Sequence, residues 1–241
     1  MKPPTPVRSV VPPSLFLLLF PWNRGKHKLQ NRSDRTPSMK KVDDLMESAR
    51  ELKERGLKSG EIADELNVSR ETANWLLTHS PTDEQDEAPG DIHLDWSAVG
   101  RSSYRLSLVA ASMKDLIDED LKEEPDVVVG IAKAGVPIAT FVAREFDARL
   151  AEYTPRKQKW GDDDYDELSG SFSRNFAEVE DERCVVVDDV VTSGRTMTEA
   201  VRFVDEKGGD PVGAAVLANK SEMSKIDGVE IKSLLGVIRV E

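Results

Sequence analysis

Cys184–Thr196 reads CVVVDDVVTSGRT, and its parts differ in kind. Cys184–Val187 is a short apolar, β-branched run, the composition of a strand buried on both faces of a parallel sheet. Asp188 and Asp189 stand at its end. Thr192, Ser193, Gly194, Arg195 and Thr196 form a small, hydroxylated loop. Met197, Ala200, Val201 and Val204 then recur at spacings of three and four, which predicts a helix. A loop at a helix N-terminus presents unpaired N–H groups and the positive end of the macrodipole, so it stabilises a phosphate. Gly194 lets the backbone come close, and Thr192, Ser193 and Thr196 add hydroxyl donors. Two ionised carboxylates only accept hydrogen bonds, which suits vicinal sugar hydroxyls. The unit reads as a binder of a ribose 5-phosphate.

The alternation of strands and helices continues on both sides. Asp126–Ile131 is a second buried strand, followed by the glycine-bearing loop GIAKAGVP over Gly130–Pro137. A helix is expected over Val136–Phe146, a strand over Ala148–Tyr153, a hairpin strand over Ser171–Phe176 and a buried strand over Pro211–Ala218, ending at Asn219 and Lys220. Upstream, Ile92, Leu94 and Trp96 alternate and predict an edge strand within Asp91–Gly100, with a helix over Arg101–Leu121. This pattern implies an α/β domain, residues 91–241, with a doubly wound parallel sheet and its ligand at the C-terminal strand ends.

Lys40–His79 has a different rhythm. Leu45, Ala49 and Leu52 mark one helix face, ending near Gly56; Ser59 is the expected cap of a second helix, with Glu61 in its first turn. Ile62, Ala63 and Leu66 face inward, Asn67 supplies a tight turn, and Ser69 caps a third helix whose core face is Ala73, Leu76 and Leu77. This is a helix-turn-helix pattern, and residues 39–79 read as a small all-α DNA-binding domain. Ser69, Arg70, Glu71, Thr72 and Asn74 open the third helix and are the candidates for base contact. The segment holds seven basic and nine acidic residues, so it lacks the basic footprint of most DNA-binding domains. A helical module for protein contacts is the alternative. Residues 80–90, polar, acidic and bounded by prolines, read as a linker.

Residues 1–38 stand apart. Lys2, Arg8, Arg24, Lys26, Lys28, Arg32 and Arg35 oppose Asp34 alone, while the whole chain carries a net charge of -12. The apolar run Leu15–Phe20 is far below the ~20 residues of a membrane span and lacks a cleavage-site pattern. The segment is expected to be a disordered basic extension, with Met39 the natural start of the folded chain; a DNA-contacting arm is the sharper alternative. No membrane association is expected, and the location is expected to be cytoplasmic. With 32% charged residues and 6% aromatics, the surface suits a salt-rich, halophilic cytoplasm. The single cysteine, Cys184, excludes an intrachain disulfide and reads as a core residue.

The Cys184–Thr196 stretch resembles the signature of the type I phosphoribosyltransferases: an apolar run, two acidic residues, two apolar residues and a Thr-Ser-Gly-x-Thr loop. The resemblance implies that Asp188, Asp189 and Thr192–Thr196 bind the sugar phosphate. It implies that Ala132, Lys133, Ala134 and Gly135 form the pyrophosphate loop, where a non-proline cis peptide is common. Orotate enzymes tend to carry Tyr-Lys where this chain has Lys133-Ala134. Their mobile loop carries Arg-Lys-x-x-Lys, which corresponds here to the shortened Arg156-Lys157-Gln158-Lys159. At the base or effector end this chain has Asn219-Lys220, matching neither the Asp-Arg of orotate enzymes nor the pattern of purine enzymes.

With the helical domain included, the chain from Met39 resembles the archaeal GfcR-type regulators. That implies a transcriptional regulator of sugar catabolism with a phosphoribosyltransferase-like domain sensing a phosphorylated effector such as phosphoribosyl pyrophosphate, accompanied by Mg²⁺ and with no direct protein–metal ligand. Promoter DNA and a second copy of the chain are the implied partners. The alternative is an active orotate- or purine-type phosphoribosyltransferase, in which Asp188, Asp189, Arg156, Lys157 and Lys159 would serve the chemistry. The altered leaving-group and base-end positions favour the regulator, so catalysis is not the expectation.

Overall fold

The computed structural model describes residues 42–79, 89–155 and 170–238. The expected basic extension, the linker core 80–88, and Arg156, Lys157 and Lys159 lie outside them. Among the described residues no helix is long and apolar enough to cross a membrane.

Three helices come first: α1 (Val42–Glu54), α2 (Ser59–Glu65) and α3 (Arg70–Thr78). Leu45, Met46, Ala49, Leu52, Ile62, Ala63, Leu66, Val68, Ala73 and Leu76 close a core between them. Fully burying a side chain such as Ile62 or Leu76 is worth about 2 kcal/mol, which is what holds so small a unit together. Asn67 has φ +52, the left-handed conformation its short amide tolerates, and turns α2 into α3. Ser69 caps α3 as expected, its Oγ accepting from Thr72 N–H at 3.1 Å. The cap of α2 falls one residue before the expected Ser59: Lys58 N–H donates to Glu61 Oε2 at 2.8 Å, so the acid of the first turn reaches back and closes the helix.

Residues 89–96 form no strand, which corrects the expected edge strand. Ile92, Leu94 and Trp96 do alternate, yet the backbone pairs with no sheet. The segment is a strap between the helices and the sheet domain, with Asp91 and His93 bonded to the helical unit and Trp96 to Asp189. Short α4 (Ser97–Gly100) and long α5 (Ser103–Asp118) follow, then β1 (Val127–Ile131), α6 (Gly135–Phe146), β2 (Arg149–Thr154), β3 (Ser171–Phe172), β4 (Arg183–Val191), α7 (Arg195–Glu206), β5 (Asp210–Asn219), β6 (Lys225–Ile226) and β7 (Val229–Gly236).

The sheet order is β3-β2-β1-β4-β5-β7-β6, with β2, β1, β4, β5 and β7 parallel and the two edge strands antiparallel. Alternation sorts the side chains: Val127, Val129, Cys184 and Val186 pack with α7, while Val128, Val185 and Val187 pack with α5 and α6. Both faces are therefore covered, which is why these strands are continuously apolar. Asp227 and Gly228, both at positive φ, make the tight turn between β6 and β7.

Candidate functional site

The acidic pair lies inside β4 and not beyond it, as the sequence had suggested. Strand β4 runs to Val191 because β5 pairs with it throughout, Asp188 opposite Val216 and Val191 opposite Asn219. Its other neighbour, β1, stops pairing at Val187. The last residues of β4 thus outrun β1, and the gap on that side is filled by the loop after β1. Gly135, the first residue of α6, presses so closely there that a Cβ would stand 2.7 Å from Val187 O and 2.9 Å from Asp188 Cα. Only glycine fits. The Ala132–Lys133 peptide in this loop is cis. Strand order reverses between β1 and β4, so the loops after both strands open onto one crevice, the usual ligand position of a doubly wound sheet.

Gly194 precedes α7 at φ +74 and turns the chain so that the Thr192–Thr196 loop sits at the helix N-terminus. This loop, the loop after β1 and both carboxylates line one cavity of about 530 Å³. Asp189 is only 8% exposed. Burial raises the pKa of both carboxyls, and the neighbouring Asp189 charge raises that of Asp188 further. Asp188 Oδ1 accepts from Asp189 N–H at 2.9 Å. Lys133 is exposed at the rim. The structure brings together Asp188, Asp189, Ala132, Lys133, Ala134 and Thr192–Thr196 as the sequence had predicted.

Two residues that carried no signal complete the site. The Trp96 indole N–H donates to Asp189 Oδ2 at 2.8 Å, so the strap occupies an acceptor expected to face a sugar hydroxyl. Asp91, at the other end of the strap, accepts from Ser69 N–H at 2.5 Å, from Thr72 Oγ1 at 3.0 Å and from Lys220 at 2.8 Å. Lys220 also donates to the Asn67 carbonyl at 2.9 Å. The expected effector-end cation is therefore held by the helical unit. Burial would raise the Asp91 carboxyl, but the hydrogen bonds from Lys220 and from Ser69 N–H, and the Lys220 charge, outweigh it and hold its pKa at about 2. Nothing in the sequence ties Trp96 to a carboxylate 93 positions away. An acidic residue beside a linker looks like any solvated charge.

The DNA-contact candidates divide. Arg70, Glu71 and Asn74 are exposed. Thr72 is buried, 8% exposed, and its hydroxyl is bound to Ser69 and Asp91. Ser69 is engaged as the cap. Both hydroxyls are thus already engaged within the fold, because polar groups at a helix start first satisfy the orphan N–H groups there. Ser69 and Arg70 also line a second cavity, of about 390 Å³, with Thr192, Ser193 and Arg195 of the loop before α7. In this arrangement the start of α3 faces the sheet domain.

The fold and the crevice define a type I phosphoribosyltransferase domain preceded by a helical unit, and the phosphoribosyl transferase domain family matches residues 95–231. The chain is 51% identical over 208 residues to transcriptional regulator GfcR of Halobacterium salinarum, covering 84% of this chain and 98% of that protein. Over 207 residues it is 45% identical to the protein of the same name from Methanocella arvoryzae, with 84% and 100% covered. The chain belongs to the GfcR family of transcriptional regulators. Among solved structures it is similar to orotate phosphoribosyltransferase of Mycobacterium tuberculosis in complex with inorganic phosphate, at 22% identity and a TM-score of 0.46, covering 61% of this chain and 80% of that one. It is also similar to adenine phosphoribosyltransferase of Thermoanaerobacter pseudethanolicus, at 14% identity and a TM-score of 0.47, covering 61% and 88%.

Proposed function

We propose that the chain is a DNA-binding regulator of sugar-metabolism genes whose phosphoribosyltransferase-like domain senses a phosphorylated sugar. The observation that carries this reading is the shared cavity: α2 and the turn after it, the parts of a helix-turn-helix, form one wall, and the phosphate loop with Asp188 and Asp189 forms the other. Arg70, Glu71 and Asn74 are the residues assigned to promoter DNA, and a homodimer would present two such helices to a palindromic operator. The effector carries vicinal hydroxyls for the carboxylates and a phosphate for Thr192–Thr196. Phosphoribosyl pyrophosphate has both, and the oxygen-rich acidic pair suits a ligand that arrives with the hard cation Mg²⁺. The acidic surface agrees with function in concentrated salt.

Calorimetry of the full chain with ribose 5-phosphate, and with phosphoribosyl pyrophosphate plus Mg²⁺, tests the reading. Binding that Asp188→Ala abolishes, with no pyrophosphate released from phosphoribosyl pyrophosphate in the presence of any of six bases (orotate, uracil, adenine, guanine, hypoxanthine or xanthine), is the expected result. Turnover with any one of them would make this an enzyme and defeat the sensor reading.

A further inference from the structure

We infer that the strap of residues 89–96 is a latch: it holds the helical unit on the sheet domain by occupying the sugar site, and a ligand with vicinal hydroxyls and a phosphate releases it. The inference rests on the sensor reading above and names how that site would be regulated. Three observations converge on it. First, Trp96 N–H and a sugar hydroxyl want the same acceptor, Asp189 Oδ2, which already receives the indole at 2.8 Å. A carboxylate oxygen at 8% residue exposure has little room for a second donor beside an indole ring. Second, the same strap fixes the start of α3. Asp91 holds Ser69 N–H and the Thr72 hydroxyl, and it is paired with Lys220, which also grips the Asn67 carbonyl. The strap is thus tied at one end to the sugar carboxylates and at the other to the helix that would read DNA.

Third, the docked state is incompletely satisfied. His93 lies mid-strap and donates Nδ1–H to the Leu66 carbonyl at 2.6 Å. Its Nε2 is buried without a hydrogen-bond partner, as is Trp75 Nε1 on α3. Among the described residues these are the buried side-chain polar atoms without a partner, and both belong to the helical unit or its strap. Water satisfies His93 Nε2 once the strap lifts. The contact is therefore poised to open, with its cost placed on the side that moves. While it is closed, Ser69 and Arg70 face Thr192, Ser193 and Arg195 across a cavity of about 390 Å³. The Arg70 guanidinium lies against Gly60 of α2, about 3.1 Å from where a Cβ would stand. Release of the latch frees this end of α3. A ligand can drive the change because it binds the open state, where Asp189 is free, better than the closed one.

Hydrogen exchange on the full chain tests the latch, with calorimetry run beside it. Saturating ribose 5-phosphate is expected to raise amide exchange in 59–78 and 89–96 several-fold. Inorganic phosphate, which lacks the hydroxyls, is expected to leave it unchanged. Trp96→Phe keeps an aromatic ring but removes the N–H. It should raise exchange in the same segments without ligand and tighten ribose 5-phosphate binding about 5- to 10-fold, the size of one net hydrogen bond no longer in competition. Because Trp96 also packs on Gly100, Asp91→Asn serves as a second variant at the far end of the strap and should open the same segments. Binding of ribose 5-phosphate with unchanged or reduced exchange overturns the latch and leaves the sensor reading standing. A rise with inorganic phosphate alone moves the trigger to the phosphate loop and overturns the role of Trp96. No binding to the wild type or to either variant defeats the sensor reading and the latch together.

Discussion

Lys220→Met removes the cation from the joint between the two units while keeping most of the side-chain volume. The lost interaction is sizeable because the pair is shielded: the side chains are 7% exposed for Lys220 and 14% for Asp91, at 2.8 Å. Deleting one partner of a fully buried pair costs about 3–5 kcal/mol, since the survivor keeps its desolvation without its neighbour. A second route starts from Asp91 itself. Its pKa falls from 3.8 to about 2 in the folded chain. At ~1.4 kcal/mol per pKa unit, that difference is worth about 2.5 kcal/mol, shared among Lys220, Ser69 and Ile92, and less once the solvent at the edge of the joint is counted. The expected loss on Lys220→Met is therefore about 2 kcal/mol, or roughly 30-fold in the ratio of docked to undocked helical unit. The sign of the pH dependence follows. A depressed folded-state pKa gives stability that is fully present above about pH 4 and lost as pH falls toward 2. Wild-type docking should weaken over that window, and the variant should show a shallower fall. Hydrogen exchange of residues 59–78 as a function of pH reads both effects, and urea unfolding of the full chain supplies the global reference. The double variant Lys220→Met/Asp91→Asn should recover much of the loss, because no charge is then stranded. A change below about 0.5 kcal/mol with an unaltered acid limb would refute the reasoning: the pair would then behave as a solvated surface contact.

Gly135→Ala forces a Cβ to within 2.7–2.9 Å of the β4 backbone, so the start of α6 must move. Even after the helix-propensity gain of alanine, a net loss of roughly 1–2 kcal/mol is expected, together with loss of ribose 5-phosphate binding in a calorimeter. Wild-type affinity in that variant would contradict the close-packed loop. The Cys184 thiol, pushed up to about 12 by burial and by the nearby Glu182 carboxylate, should resist iodoacetamide at pH 8 until urea unfolds the chain. Mass spectrometry that finds the native protein alkylated would place the thiol elsewhere. Tyr153 is fully buried and donates its hydroxyl to Glu199 Oε1 at 2.7 Å; burial first and that carboxylate second raise its pKa. Tyr153→Phe is expected to cost about 1.5 kcal/mol in urea denaturation, the worth of a hydrogen bond to a charged acceptor, and a neutral substitution would mean that Glu199 takes its hydrogen bonds from water.

What was legible in the sequence is what depends on neighbours close along the chain. The run Cys184–Val187 announces a doubly covered strand because both of its faces meet apolar helices, and Gly194 announces a turn because φ +74 admits little else. The Asp227-Gly228 turn is equally readable as a hairpin signal, because both residues sit at positive φ. Illegible was everything that depends on where the helical unit docks. Period-two alternation at Ile92, Leu94 and Trp96 reports only that successive side chains point opposite ways. An edge strand and a strap wedged between two surfaces both meet that condition. Thr72 looked like a base-reading hydroxyl for the same reason: its partner, Asp91, lies 19 positions away across the linker. Lys220 looked like an effector contact, and it does stand at the strand end beside the cavity, but its charge is committed to Asp91 and its remaining reach to the Asn67 carbonyl. These failures share one physical origin. The Asp188–Asp189 crevice and the helical unit draw on the same few polar atoms, so a residue placed correctly from the signature can have its partner chosen by the other unit. Asp189 is the sharpest instance: the motif fixes where it stands, and the docked strap fixes that its hydrogen bond goes to Trp96.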